Sequence, residues 1–101
     1  MKLYINTSDR ERIVVGLGDK RFEEIAHDGT SQKLLPLISK SLKKQKLDFK
    51  DITQIEVETG PGSFTGLRIG VSVANTLGWA LGIPVNGKDF RKGQVVDIHY
   101  E

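Results

Sequence analysis

Apolar and polar residues alternate at the start of the chain. Leu3 and Ile5 within Lys2 to Asn6 predict a short strand with one buried face. Thr7-Ser8-Asp9-Arg10 supplies turn chemistry. Glu11 to Leu17, with its β-branched run Ile13-Val14-Val15, reads as a second strand. Gly18-Asp19 is a tight-turn signal leading into a third strand, Lys20 to His27, anchored by Phe22 and Ile25. These elements predict an antiparallel meander.

The period then lengthens. Asp28-Gly29-Thr30-Ser31 breaks the strand pattern and offers helix N-caps. Leu34, Leu35, Leu37, Ile38 and Leu42 recur at helical spacing to about Lys46. Pro36 lies inside this helix, where it removes a backbone donor and is expected to bend the axis. Asp51 is read as the cap of a further short turn. Gln54 to Thr59 forms a fourth strand, with Ile55 and Val57 on one face. A glycine-rich turn opens a second helix from about Phe64 to Leu81, ended by Gly82 and Pro84. Val85 begins a short fifth strand. Gln94 to Glu101 closes the chain as another, with Val96, Ile98 and Tyr100 on one face. The order predicts an α/β domain, a mixed five- or six-stranded sheet flanked by helices.

Composition narrows the class. The chain has 101 residues, 38% hydrophobic and 28% charged, which suits one soluble globular domain. No apolar run approaches the roughly 18 residues of a membrane span, and the N-terminus turns polar at Asn6 without a signal-peptide pattern. The expected location is the cytoplasm, with no membrane contact. With no cysteine, disulfides, thiolate metal sites and cysteine nucleophiles are excluded. His27 and His99 are isolated, and neither a metal nor a cofactor is expected. The formal charge of +2 is too small to imply nucleic acid by itself. Lys40, Lys43, Lys44, Lys46 and Lys50 do cluster, as the solvated end of a helix or as a phosphate-facing patch.

The most distinctive run is Gly60-Pro61-Gly62-Ser63-Phe64-Thr65-Gly66-Leu67-Arg68-Ile69-Gly70. Small residues then continue at four-residue spacing: Gly66, Gly70, Ala74, Gly78 and Gly82. They form a stripe poor in side chains along one helix face. An interior glycine costs about 1 kcal/mol relative to alanine, so the stripe implies close packing. The partner is this protein's own sheet or the helix of another subunit. Ile69, Val73, Leu77 and Leu81 form a neighbouring apolar row, Leu67 and Val71 a third, and Trp79 also needs cover. The turn itself, through Gly60, Gly62, Ser63, Thr65 and Gly66, offers backbone donors to an anion. It lacks the Gly-Lys-Thr/Ser ending of a nucleotide-binding P-loop. Ser63 reads as a helix cap, since no histidine or paired acid stands at a telling spacing.

The segment GPGSFTGLRIGVSV, Gly60 to Val73, resembles the signature of the bacterial TsaB family, also called YeaZ. The continuation from Ala74 to Val85 is similar to it as well. Leu3-Tyr4-Ile5-Asn6-Thr7-Ser8 resembles the family's opening motif Leu-x-Ile-Asp-Thr-Ser. Ser31-Gln32-Lys33-Leu34-Leu35-Pro36 resembles its first helix, internal proline included. The likeness covers roughly residues 1 to 87 in the right order. It implies the ribonuclease H-like, actin/Hsp70-like fold, normally built as two similar domains. It also implies a non-catalytic partner of the enzyme TsaD, alongside the ATPase TsaE. Together these proteins attach a threonylcarbamoyl group to the adenosine next to the anticodon of certain tRNAs.

Three departures accompany the likeness. Asn6 stands where the family usually has aspartate, and an amide is a weaker ligand for hard cations. Thr30 stands where a histidine often precedes the first helix. The chain is less than half the family's usual length, so residues 1–101 are expected to form one TsaB-like N-terminal domain, with 88–101 a divergent C-terminal strand segment. A single lobe of a fold that binds nucleotide between two lobes argues against catalysis.

The resemblance places pairing, with a TsaD-like protein or with a second copy, on the two helices. The residues expected at that interface are Leu34, Leu35, Ile38 and Leu42 from the first helix. The second contributes Leu67, Gly70, Val71, Ala74 and Gly78. A TsaE-like ATPase in a larger complex, and tRNA indirectly, are the further expected partners. The alternatives are a small phosphate- or nucleotide-binding module using the Gly60–Gly66 turn, and a tRNA-binding accessory domain using the lysine cluster.

Overall fold

A computed structural model describes residues 1–27, 29–89, 92–94 and 96–97. The expected meander is present as β1 (Lys2–Asp9), β2 (Arg12–Leu17) and β3 (Lys20–Ile25). Neighbouring strands run antiparallel, with Leu3 opposite Leu17, Ile5 opposite Val15, and Val15 opposite Phe22. Next come helix α1 (Thr30–Lys44), strand β4 (Gln54–Val57) and helix α2 (Phe64–Leu81). β4 joins β1 in parallel, giving the sheet order β3-β2-β1-β4.

This register decides which face is buried. Leu3, Ile5, Thr7, Ile13, Val15, Leu17, Ile55 and Val57 all point to one side and are buried there. Both helices cover that side, α1 over β2 and β3, α2 over β1 and β4. Leu34, Leu37, Ile38 and Leu42 from α1 meet Leu67, Val71 and Ala74 from α2 in the same core. The other face is polar. Lys2 pairs with Glu56 at 3.4 Å, Arg12 with Glu23 at 3.3 Å, and the Arg21 guanidinium stands 4.6 Å over the Tyr4 ring. A sheet built mainly of antiparallel pairs tolerates such a solvated face.

Several boundaries differ from the sequence reading. β1 runs on through Thr7-Ser8 to Asp9, because Thr7 is buried under α2. The reversal falls at Arg10 and Glu11, after an irregular register between Asn6 and Asp9. Ile25 is not a core anchor. It lies opposite Arg12 on the polar face and is 59% exposed, while Ala26 is buried instead. α1 has Gly29 at its N-cap with no side-chain cap, and Pro36 lies on its exposed side within an uninterrupted helix. The turn Phe49–Asp51 is capped by Asp48, whose carboxylate accepts from Phe49 N at 2.8 Å. Asp51 reciprocates by accepting from Asp48 N, completing a capping box.

The largest correction concerns strand number. Among the described residues the sheet has four strands rather than five or six. Val85 makes only isolated bridges, to Ile55 and to Lys88. The reason lies in Asn86 and Gly87, whose φ values of 49° and 76° turn the chain back at once. Val85 and Lys88 exchange both main-chain hydrogen bonds around that turn, at 3.0 and 2.9 Å. Asn-Gly favours such a tight reversal. The Asn86 side chain then stands in for the missing strand: its Oδ1 accepts from Val57 N at 2.8 Å and its Nδ2 donates to Val57 O at 3.0 Å. Of the expected closing strand, Gln94, Val96 and Asp97 are not in strand, and residue 95 and residues 98–101 lie outside the described residues.

Candidate functional site

The glycine-rich turn begins with a cis Gly60–Pro61 bond and lies against the end of β1. Ser63 N donates to Ser8 O at 2.7 Å. A Cβ at Gly62 would stand 2.6 Å from the Ser8 Cβ and 2.7 Å from its carbonyl oxygen, so this position accepts only glycine without a shift. Gly60 N is directed to the Glu58 carboxylate at 3.4 Å, and Gly66 N to Ser63 Oγ at 3.4 Å. Ser63 is thus the cap of α2, as its place before the helix predicts.

These bonds bear on the anion reading. Of the five residues expected to form an anion-binding turn, the amides of Gly60, Ser63 and Gly66 already serve inward partners. A carboxylate is one of those partners. Ser63 and Thr65 do line a shallow depression with Ser8, Asp9, Arg10 and Phe64, where the acid of Asp9 offsets the charge of Arg10. The turn is built primarily to fasten α2 to β1.

The small-residue stripe shows the same logic. Cβ atoms at Gly66 and Gly70 would collide with the carbonyl oxygen and the hydroxyl of Thr7 respectively. One at Gly78 would come 2.5 Å from Val85 Cγ2. Gly66 and Gly70 therefore pack on β1 of the protein's own sheet, and Gly78 packs on Val85 beside β4. This corrects the expected interface. Leu34, Ile38, Leu42, Leu67, Gly70, Val71, Ala74 and Gly78 are all buried within the chain and present no surface to a partner. Leu35 alone of the nine is exposed, at 47%.

Leu35 has a defined setting. Lys33 Nζ donates to Ile25 O at 3.2 Å and Lys40 reaches Glu24 at 3.9 Å, so that flank of α1 faces β3. Leu35 lies on the flank turned the other way, toward α2. Thr30 at the start of α1 and Ile69 in α2 line one small cavity with Gly66, which sets the helix starts side by side. The half-buried row Ile69, Val73 and Leu77 runs along α2 on the flank next to its buried face. Leu35 is exposed and Ile69, Val73 and Leu77 are half-buried against the core, so both helices keep apolar surface that the core does not fully cover.

Both ends of the Asn6 amide are engaged within the chain. Its Oδ1 accepts from Ser8 N at 3.0 Å and from Ser8 Oγ at 2.6 Å, and its Nδ2 donates to the Tyr4 hydroxyl at 3.1 Å. Among the described residues no group of three or more histidine, cysteine, aspartate or glutamate side chains could hold a metal ion. No helix among them is long and apolar enough to cross a membrane. Sequence reasoning overlooked Thr7 as the residue that α2 closes upon, and Asn75 and Asn86 as side chains that bracket backbone. Asn75 Nδ2 donates to Val96 O at 2.8 Å, holding the buried Val96 against α2. The Asn86-Gly87 pair was the available signal for a reversal.

Comparison with known proteins gives a consistent result. The model of the family described as TsaD, tRNA N6-adenosine threonylcarbamoyltransferase, matches residues 23–87. The tRNA threonylcarbamoyladenosine biosynthesis protein TsaB of Buchnera aphidicola subsp. Schizaphis graminum is 42% identical over 55 residues, 54% of this chain and 26% of that protein. The protein of the same name from Bacillus subtilis is 41% identical over 56 residues, 55% of this chain and 24% of that one. Among solved structures, YeaZ from Pseudomonas aeruginosa is similar at a TM-score of 0.71 and 28% identity, covering 83% of this chain and 42% of the other. A protein described as similar to peptidase YeaZ from the same organism matches at a TM-score of 0.72. The chain thus spans about a quarter of the curated relatives it matches.

Proposed function

The chain belongs to the TsaD family of tRNA N6-adenosine threonylcarbamoyltransferases, within its TsaB group, and we propose that it acts there as a non-catalytic partner subunit. In this reading it supports a TsaD-like enzyme in placing threonylcarbamoyl on the tRNA adenosine next to the anticodon. The observation that carries the reading is the match over residues 23–87, which takes in both helices and the turn. The relatives are named as tRNA threonylcarbamoyladenosine biosynthesis proteins. A peptidase role draws no support from these residues, since Ser63 serves as a helix cap.

Two features support a non-catalytic role. The family's acid is replaced by Asn6, whose amide is committed to Ser8 and Tyr4. The amides of Gly60, Ser63 and Gly66 in the turn donate within the chain. The partner-facing surface in this proposal is the ridge of Leu35 with Ile69, Val73 and Leu77, and its partner is a TsaD-like protein or a second copy. Removing such apolar side chains from water on association contributes roughly 25 cal/mol per Å² buried.

Size-exclusion chromatography with light scattering, alone and with a TsaD-like protein from the same source, tests this. The expected result is a dimer or a mixed complex, weakened at least tenfold by Leu35→Asp with an unchanged circular-dichroism spectrum. A monomer in both samples would overturn the proposal.

A further inference from the structure

We propose that the end of α1 and the turn after it form a docking surface for the phosphate backbone of RNA, made by Lys40, Lys43, Lys44, Lys46 and Lys50. Residues 40–51 hold these five lysines against two aspartates, a larger positive surplus than the whole chain's +2. All five lysines are exposed. Lys43, Lys44, Lys46 and Lys50 form no ion pair among the described residues, and Lys40 has only the long 3.9 Å contact to Glu24.

The two nearby acids offset only part of the patch and leave three positive charges in excess over residues 40–51. Asp48 and Asp51 each spend a carboxylate oxygen on main-chain amides of the capping box, at 2.8 Å in both cases. Chain reversal gathers the cations at one end of the molecule. Leu47 N returns to Leu42 O at 2.9 Å, and Lys46 takes the left-handed conformation (φ 58°) that this reversal requires. A solvated helix end accounts for part of the cluster, because cations in the last turn favour the helix dipole. That reason covers Lys43 and Lys44, in the last turn of α1. It does not cover Lys46 or Lys50, which lie beyond the helix.

Exposed lysines without partners suit a polyanion, whose bound counterions are released on contact. The choice of RNA over other polyanions rests on the tRNA-modification reading above. The surface itself is separate from the Leu35 ridge.

The test is fluorescence anisotropy of the full chain with an unmodified tRNA transcript across a series of salt concentrations. The expected log–log slope is about −0.7 to −0.9 per phosphate contact, so four or five lysines give roughly −3 to −4.5. Lys43→Glu, Lys44→Glu, Lys46→Glu and Lys50→Glu together should weaken binding at least thirtyfold and flatten the slope by about 3. Lys20→Glu with Lys88→Glu should leave both unchanged, and circular dichroism checks that each variant is folded. Absence of binding by the wild type, or an unchanged slope in the fourfold variant, overturns the proposal. Equal affinity for polyglutamate overturns the assignment to RNA. The fourfold variant should still bind its protein partner, and Leu35→Asp should still bind RNA, so failure of one proposal is distinguishable from failure of the other.

Discussion

The hydroxyl of Thr7 donates a 2.6 Å hydrogen bond to the carbonyl of Gly66, and the same hydroxyl fills the place that a Cβ on Gly70 would need. One buried polar residue on β1 thereby sets how closely α2 lies on the sheet. Gly66 and Gly70 allow this approach, since a Cβ at either would meet Thr7.

The Thr7–Gly70 contact predicts strong coupling. Gly70→Ala should cost about 1–3 kcal/mol through overpacking, despite the gain in helix propensity. In a Thr7→Ala background most of that cost should vanish, because the next atoms near the new Cβ are 3.5 Å away and one of the two is removed with the hydroxyl. Urea denaturation of the four proteins in a double-mutant cycle measures the coupling. Simple additivity would show that the contact is not the constraint.

Leu35 and Ile38 are both leucine-like residues of α1 but differ in burial, at 47% and 0% exposed. Leu35→Ala should change stability by under about 0.5 kcal/mol, whereas Ile38→Ala should cost about 2–5 kcal/mol. Thermal and urea unfolding of the monomer separate the two. Equal costs would mean that Leu35 is covered in the folded chain.

Asn86 completes the edge of β4 by pairing with both main-chain groups of Val57. Asn86→Ala leaves those groups without their side-chain partner and places alanine at a φ of 49°. The expected cost is about 1–3 kcal/mol. Amide exchange should rise at Val57, with much smaller changes at Ile5 in the sheet centre. Unchanged protection of Val57 would contradict this role.

The inward commitment of the amides at Gly60, Ser63 and Gly66 predicts a poor phosphate cradle. Calorimetric titration with ATP and magnesium should show no saturable binding in the micromolar range. Micromolar saturation would instead restore the turn as a nucleotide site.

Much of this protein was legible in the amino-acid order. Alternation at Leu3 and Ile5 and the run Ile13-Val14-Val15 mark strands, because a two-residue period leaves one face apolar. Spacing at Leu34, Ile38 and Leu42 marks α1 for the same reason at a longer period. The run from Gly60 to Val73 is long enough to identify the family. Ser63 and Gly82 mark the ends of α2, since capping is local chemistry that depends on few residues.

What only the tertiary structure decided is which apolar residues remain at the surface. Helical spacing assigns Leu35 and Ile38 alike to an apolar set, and only the seating of α1 over β2 and β3 buries one and exposes the other. Strand alternation puts Phe22 and Ile25 on opposite faces of β3 without saying which is covered, and the register opposite Arg12 turns Ile25 outward. The four-residue stripe from Gly66 to Gly78 announces close packing, but period alone cannot say against what. Thr7 and Val85, distant in sequence from α2 or beyond its end, supply the answer. Eight of the nine residues that the sequence placed at an interface are thus spent on the chain's own core, because a residue that meets its own sheet has no area left for another chain.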